Sequence, residues 1–316
     1  MKNKKYLRDL DNYLKRDKLK LNKKEQQEIL KAYTRAFDNM MKEYKRNSHK
    51  KNASQIARTA YCKQLYDEIY KIIKEYNMKA SEDILNAHAD MLLKDVDYYK
   101  NTELYKQIKE KANIVNRSII EQMIKGRIYK DGQGLSERLW KSINNSGDKI
   151  EEAIMSMIAE GKGATEIAKN LTQFAKQGHK IWDRAKIKEK LGSAYAGKYG
   201  AGGIDYEALR LARTTLNHQS QLAHMNSHKV NPYSQKVKWH SAHQANRTCQ
   251  QCEDREGKIF NAKECPFDHP NGMCFLEDVF CIDEKEVSTV EMAEDIGKWI
   301  RGEKNSGTMD LVYGDL

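Results

Sequence analysis

The sequence predicts a mainly α (α+β) fold, in which an elongated N-terminal helical region is followed by a small α+β module. Only three of the 316 residues are proline, and the first of them is Pro232. The stretch before it is rich in Lys, Glu, Gln, Ala, Leu and Ile, which favour helix, whereas proline would interrupt one. After Pro232 the pattern changes, because Val237 and Trp239 alternate with polar residues as in a half-buried strand. The N-terminal two-thirds should therefore be almost entirely helical.

The first helix is predicted over about residues 22–47. Asn22 and Glu25 have the spacing of a capping box, which is typical of a helix start. A second helix should begin near Ala53, and shorter helical patterns cover about residues 81–96 and 101–128. The apolar residues of the first helix recur every three or four positions, at Ile29, Tyr33, Ala36, Phe37, Met40, Met41 and Tyr44.

Glycine-containing breaks divide the remainder of the chain. Gly132 and Gly134 predict a turn within residues 129–136, and the sequence YGAGGI at residues 199–204 predicts a flexible joint. A helix should cover residues 205–229. Short strands are expected at 258–260 and 273–277, and an amphipathic helix near 286–301. The predicted domains are a helical region at 1–200, an α+β module at 201–285, and an acidic helix and tail at 286–316.

Charge is distributed unevenly along the chain. The first 50 residues contain 16 Lys and Arg against 7 Asp and Glu, whereas residues 277–316 contain 4 basic and 11 acidic residues. A basic end of this kind could contact nucleic acid through its phosphates, although solvated helix faces are also rich in lysine. No apolar run reaches the roughly 18 residues that span a bilayer, and the N-terminal sequence lacks the apolar core of a signal peptide. We therefore expect no membrane association, no export, and reduced cysteines.

A cluster of soft metal ligands lies between Arg247 and Cys274. The four residues Cys249, Cys252, His269 and Cys274 follow one another in an order that could close a tetrahedral zinc shell. Four protein ligands leave no open position, so the sequence predicts a structural zinc knuckle. Cys265 competes for the third or fourth position and Cys281 does so more weakly. A small core of reduced thiols is the alternative interpretation.

Two enzymatic patterns are incomplete. His224 and His228 have the spacing of a metalloprotease pair, but Met225 stands where the general-base Glu is needed. Asp268, His269 and Pro270 beside the Cys-x-x-Cys pair are similar to the start of a His-Asn-His nuclease site, which needs a further downstream histidine. His269 is the last histidine of the chain. The sequence therefore predicts no catalytic residues.

The order of motifs from residue 210 onward resembles the Mu F-like head morphogenesis family of phage minor head proteins. The matching motifs are Ala212-Arg213-Thr214, the strand VKWHSA at 237–242, Asn246-Arg247-Thr248-Cys249-x-x-Cys252, Gly257-Lys258-x-Phe260 and His269-Pro270-Asn271-x-x-Cys274. Upstream, GRIYKDGQGLSERLW at 126–140 resembles minor capsid proteins of phages of Gram-positive hosts. Asn246 departs from the usual Asp, and Gly272-Met273 replace Cys-Arg. The fourth metal ligand is therefore open between Cys274 and Cys265.

The resemblance implies a virion protein that acts inside the phage head and is assembled in the host cytoplasm. The implied partners are the portal protein, the major capsid or scaffolding proteins, and packaged double-stranded DNA bound without sequence specificity. The implied role is in head assembly and in genome retention or ejection. Two alternatives remain from the sequence, namely a virion-delivered metal-dependent nuclease or toxin domain, and a DNA-binding module unrelated to virions.

Overall fold

The mainly α class is confirmed by a computed structural model of the chain. It describes residues 2–95, 102–163, 166, 206–242, 249–270, 272–280 and 289–303. The helices are α1 (Lys2–Asn47), α2 (Ala53–Asp95), α3 (Thr102–Ile124), α4 (Leu135–Ala159), α5 (Tyr206–Asn226), α6 (Gln250–Glu253) and α7 (Thr289–Ile300). The strands are β1 (Ser234–His240), β2 (Ile259–Asn261) and β3 (Phe275–Phe280). None of the described helices combines the length and the apolar character that crossing a bilayer requires.

Two predicted helix boundaries were wrong. Helix α1 begins at Lys2, so Asn22 and Glu25 lie inside it and are buried, where they cannot cap a helix start. The predicted helix at 81–96 is the C-terminal part of α2, which is continuous from Ala53. The reason is common to both cases: neither helix contains Gly or Pro, and helix propagation adds a hydrogen bond with each residue. Residue types that favour a cap do not start a helix where nothing interrupts it.

The chain divides into two compact units, each of which is built from discontinuous segments. The helical unit contains residues 23–75 and 124–213. The sheet-containing unit contains residues 1–22, 76–123 and 214–316. The domain boundaries predicted near residues 200 and 285, and the joint predicted at 199–204, lie outside the described residues.

The helical unit is held by one apolar core. Its fully buried members include Ile29, Met40, Tyr61, Leu65 and Ile154, which come from α1, α2 and α4. The Tyr61 hydroxyl makes a hydrogen bond of 2.9 Å with the Ser146 hydroxyl, so the ring is buried without an unpaired polar atom. Cys62 is buried as expected, and burial raises the pKa of its thiol to about 11, which makes it a small apolar side chain in practice.

The sheet has three antiparallel strands in the order β2-β1-β3. Val237 lies opposite Phe260 on one side and Asp278 on the other. The predicted alternation in β1 is confirmed, because Val237 and Trp239 are completely buried. Their core also contains Cys252, Cys265, Cys274 and Leu276, so the cysteine-rich segment packs directly against the central strand.

The predicted turn before the second helical block is confirmed between α3 and α4. Gly126 and Gly132 both have positive φ, of 72° and 65°. A Cβ atom at Gly126 would lie 2.3 Å from the carbonyl oxygen of Gln133, whereas one at Gly132 would meet open space. Only Gly126 therefore combines the left-handed backbone with a close backbone approach.

Replacing these two glycines separates the two effects. Gly132→Ala should lower the free energy of unfolding by about 1–2 kcal/mol, because only the left-handed conformation is penalised. Gly126→Ala should lower the free energy of unfolding by clearly more than Gly132→Ala, since the new methyl group collides with backbone that cannot rotate away. Urea unfolding followed by circular dichroism measures both. Equal losses in the two variants would contradict the close approach.

Candidate metal centre

The predicted ligands come from two short segments that precede β2 and β3. Cys249 directly precedes α6, and its carbonyl oxygen accepts hydrogen bonds from the amides of Cys252 and Glu253 at 2.9 and 3.1 Å. This single helical turn carries both thiols of the Cys-x-x-Cys pair. His269 and Cys274 lie in the segment that leads into β3. Two candidate ligands therefore lie at the α6 turn, and two lie in the segment before β3.

The structure brings these residues together in two overlapping groups. Cys249, Cys252 and His269 have ligand atoms within 4.8 Å of one another, and so do Cys252, Asp268 and Cys274. Cys252 belongs to both groups and makes side-chain hydrogen bonds with Cys249 and Cys274. All four predicted ligands are therefore linked through Cys252, with Asp268 as a fifth nearby group.

The competing residues lie elsewhere. Cys265 is in no such group among the described residues, and its thiol donates to the carbonyl oxygen of Pro266 at 3.6 Å. His224 contacts Asp278, whereas His228 contacts the carbonyl oxygen of Met225, so they do not form the metalloprotease pair. Cys281 lies outside the described residues.

The centre has a buried side and an accessible side. Cys252, Cys274 and Asp268 are buried, while Cys249 is partly exposed and the His269 side chain is 37% exposed. Burial raises the pKa values of the Cys252 and Cys274 thiols. Thiolate is the form that binds a metal, so a cation must displace these protons and its binding should strengthen as the pH rises.

Asp268 organises the segment that carries the ligands. Its Oδ2 accepts hydrogen bonds from the Cys274 amide and from the Asn217 side chain, both at 2.9 Å. Its Oδ1 accepts from the His269 amide at 2.8 Å and from the Cys252 thiol at 3.5 Å. One buried carboxylate therefore fixes the backbone or side chain of three of the four predicted ligands.

Helix α5 holds Asp268 in place. Besides the Asn217 contact, His218 Nε2 donates to the Asp268 carbonyl oxygen at 2.9 Å, and the Asp268 amide donates to the Gln221 side chain at 3.0 Å. Lys18 of α1 donates to Asn217 Oδ1 at 2.8 Å and to the Cys274 carbonyl oxygen at 3.1 Å. Burial lowers the pKa of Lys18 to about 8. The ligand segment is thus fastened to two helices.

The glycine at position 272 fits this arrangement. A Cβ atom there would lie 2.0 Å from Asp268 Oδ2, so the carboxylate occupies the space that a side chain would need. The glycine that replaces the usual cysteine at position 272 therefore leaves room for the Asp268 carboxylate. Sequence reasoning missed the supporting role of Asp268, and the available signal was its position directly before His269.

Asp268→Asn tests this support. The amide can accept at only one of its two terminal atoms, so at least one donor pair loses its acceptor whichever way the group is oriented. We expect a loss of about 2–4 kcal/mol in the free energy of unfolding, as for unpaired buried donors. Asp254→Asn is the matched control, because the Asp254 side chain is exposed and accepts a hydrogen bond of 2.8 Å from the Gln250 side chain of the same turn. Thermal unfolding measures both, and equal stability of the two variants would contradict the role.

The comparisons with known proteins agree with the motifs from residue 210 onward. Residues 148–281 match the model of the family described as Phage Mu protein F like protein. Neither the curated proteins nor the solved structures contain a significant match to the chain. The matched region includes α5, the three strands and all four predicted ligands. Residues 126–140 precede it, so their resemblance to minor capsid proteins of phages of Gram-positive hosts stays a prediction. Residues 148–281 of this chain are therefore similar to the Phage Mu F-like family, which supports a phage head morphogenesis protein.

Proposed function

We propose that this protein is a minor head protein that acts in phage head assembly and contacts the portal protein. The observation that carries the proposal is the family match, which indicates a role in phage head morphogenesis and a structural protein class. The match covers the segment in which the cysteine and histidine side chains converge. Capsid-assembly partners follow from the family. We propose that these partners are the portal protein and the major capsid or scaffolding proteins. We also propose that the protein is located inside the virion.

In this proposal a zinc ion fastens the matched region into a docking unit. Cys249, Cys252, His269 and Cys274 supply three sulfurs and one imidazole nitrogen, a donor set that zinc prefers. Cys249, Cys252 and His269 already lie in one group, and Cys274 lies in a second group that shares Cys252, so an ion bound by all four would draw the two groups together. A zinc ion held by four protein ligands would have no open position for a substrate. Its contribution would be to join the α6 turn to the approach of β3.

The N-terminal part of the chain supplies the charge for DNA contact. The first 50 residues have an excess of nine positive charges, and α1 presents exposed lysines that include Lys20, Lys23 and Lys24. Lysine side chains on a helix bind phosphates without reading the bases. We propose that this part binds packaged double-stranded DNA and assists its retention or ejection.

The double substitution Cys249→Ser and Cys252→Ser tests the zinc centre. It should remove the bound zinc, unfold the matched region and abolish incorporation into heads, because a structural site supplies folding free energy. Cys265→Ser is the matched control and should keep the zinc content of the wild-type chain, since Cys265 is in neither ligand group. Elemental analysis and head purification measure the two outcomes. Unchanged zinc content and normal incorporation of the double variant would refute the proposal.

DNA contact by α1 can be tested through its salt dependence. Lys23→Gln with Lys24→Gln should weaken binding to any DNA sequence. It should also reduce the slope of log affinity against log salt by about 2, because two phosphate contacts are lost. Lys258→Gln with Lys263→Gln changes the net charge equally at exposed positions near β2. Filter binding at several salt concentrations is the measurement. Equal effects of the two pairs would show that only the overall charge matters.

A further inference from the structure

A second group of metal-ligand side chains lies in the sheet-containing unit, apart from the cysteines. His88 of α2, His224 of α5 and Asp278 of β3 have ligand atoms within 4.8 Å of one another. Their exposed fractions are 2%, 6% and 6%, so water is largely excluded. The three residues come from three elements far apart in the sequence, and none of them belongs to the proposed zinc knuckle.

The two imidazoles meet one carboxylate oxygen. His88 Nε2 lies 3.0 Å from Asp278 Oδ2, and His224 Nδ1 lies 2.5 Å from the same atom. Burial by itself would raise the pKa of Asp278, but the two histidines outweigh burial and hold the pKa below its usual range. Asp278 Oδ2 thus lies between two ring nitrogen atoms that can each bind a cation.

The other carboxylate oxygen is fixed by hydroxyl groups. Ser227 and Ser234 donate to Asp278 Oδ1 at 3.0 and 2.9 Å, and their hydroxyls lie 2.7 Å apart. Ligating carboxylates in metal sites are commonly oriented by hydrogen bonds of this kind. Because the two hydroxyls bind Oδ1, Oδ2 faces the two histidines. This is the position of a carboxylate that binds a metal through one oxygen.

We propose that His88, His224 and Asp278 bind a divalent transition-metal ion, with zinc as the best match to two imidazole nitrogens and one carboxylate oxygen. Bonds of about 2.0–2.2 Å in a tetrahedral shell place neighbouring ligand atoms about 3.3 Å apart. The present contacts of 2.5 and 3.0 Å need to open by less than about 1 Å, which small side-chain rotations achieve. To bind the ion, each facing nitrogen gives up its hydrogen, which moves to the other nitrogen of the neutral ring or, from a protonated ring, to water.

His224 also lines a small cavity in the same unit. It is lined by Ser220, Gln221 and His224 together with Lys18 and Leu276. Three protein ligands leave one position of a tetrahedral ion open, and a water molecule commonly fills it. The ion would join α2, α5 and β3 at one point, so its binding should stabilise this unit. The proposal does not depend on zinc at the cysteines.

Counting metal ions on the purified full-length chain tests the site. After dialysis against Zn²⁺ or Co²⁺, elemental analysis should find two ions per chain in the wild type. One ion should remain in His88→Gln, with the thiolate band of the wild-type chain retained. His228→Gln, a control on the segment that follows α5, should keep both. Cobalt at the cysteines shows a sulfur-to-metal charge-transfer band, whereas cobalt at His88, His224 and Asp278 shows none.

The outcomes separate the two sites. A wild-type chain with one ion, a thiolate band and no loss in His88→Gln would overturn the second site, and the group would then be a hydrogen-bond network only. One ion without a thiolate band that is lost in His88→Gln would support the second site and refute the zinc knuckle. The wild-type cobalt spectrum and stoichiometry decide this even where a variant does not fold.

Discussion

The buried carboxylate of Asp268 is the interaction on which the arrangement of the cysteine-rich segment depends. A carboxylate removed from water costs several kcal/mol unless hydrogen bonds replace its hydration. Asp268 meets that requirement with amide, thiol and side-chain donors that come from both its own segment and α5. Because those donors must be in place together, the segment has one favourable arrangement. That arrangement holds the candidate ligands near one another before any ion binds.

Asp278 is a second buried carboxylate of the sheet-containing unit whose hydration is replaced by hydrogen bonds. Four donors surround its two oxygens, and they belong to α2, α5, β1 and the turn after α5. Helix α5 therefore serves two carboxylates through one polar face. This explains why a helix that carries His218, Gln221 and His224 is nevertheless buried along most of its length. His218, Gln221 and His224 each bond to Asp268 or Asp278, as burial favours, although the Gln221 side-chain nitrogen is buried without a hydrogen-bond partner.

The sequence was sufficient for the elements whose signals are local. The absence of proline, the turn glycines and the alternation of Val237 and Trp239 predicted the helical class, the break before α4 and the central strand. Cys249, Cys252 and His269 lie in one group, whereas their binding of a metal stays a prediction. The long extent of α1 was missed, because Asn22 and Glu25 have the residue types of a cap while lying in the helix interior.

Contacts between distant residues were beyond the reach of local patterns. Asp278 and His88 are separated by 190 positions, and a buried polar side chain has the same hydropathy as an exposed one. The polar face of α5 was for this reason indistinguishable from a solvated face. Asp268 was visible only as the neighbour of a candidate ligand, since nothing in its own sequence position reports four donors around it.

The interleaving of segments in the sheet-containing unit means that the boundaries of the family match are not boundaries of folding. A fragment that spans residues 148–281 would lack Lys18 and His88, which bond to Asn217 and Asp278 inside it. Leaving a buried polar group without its hydrogen-bond partner costs about 1–3 kcal/mol, a large share of the about 5–15 kcal/mol that stabilises a whole domain. The bounds of the family match therefore differ from the bounds of a segment that could fold by itself. Truncations for crystallography or binding assays should keep the first two helices.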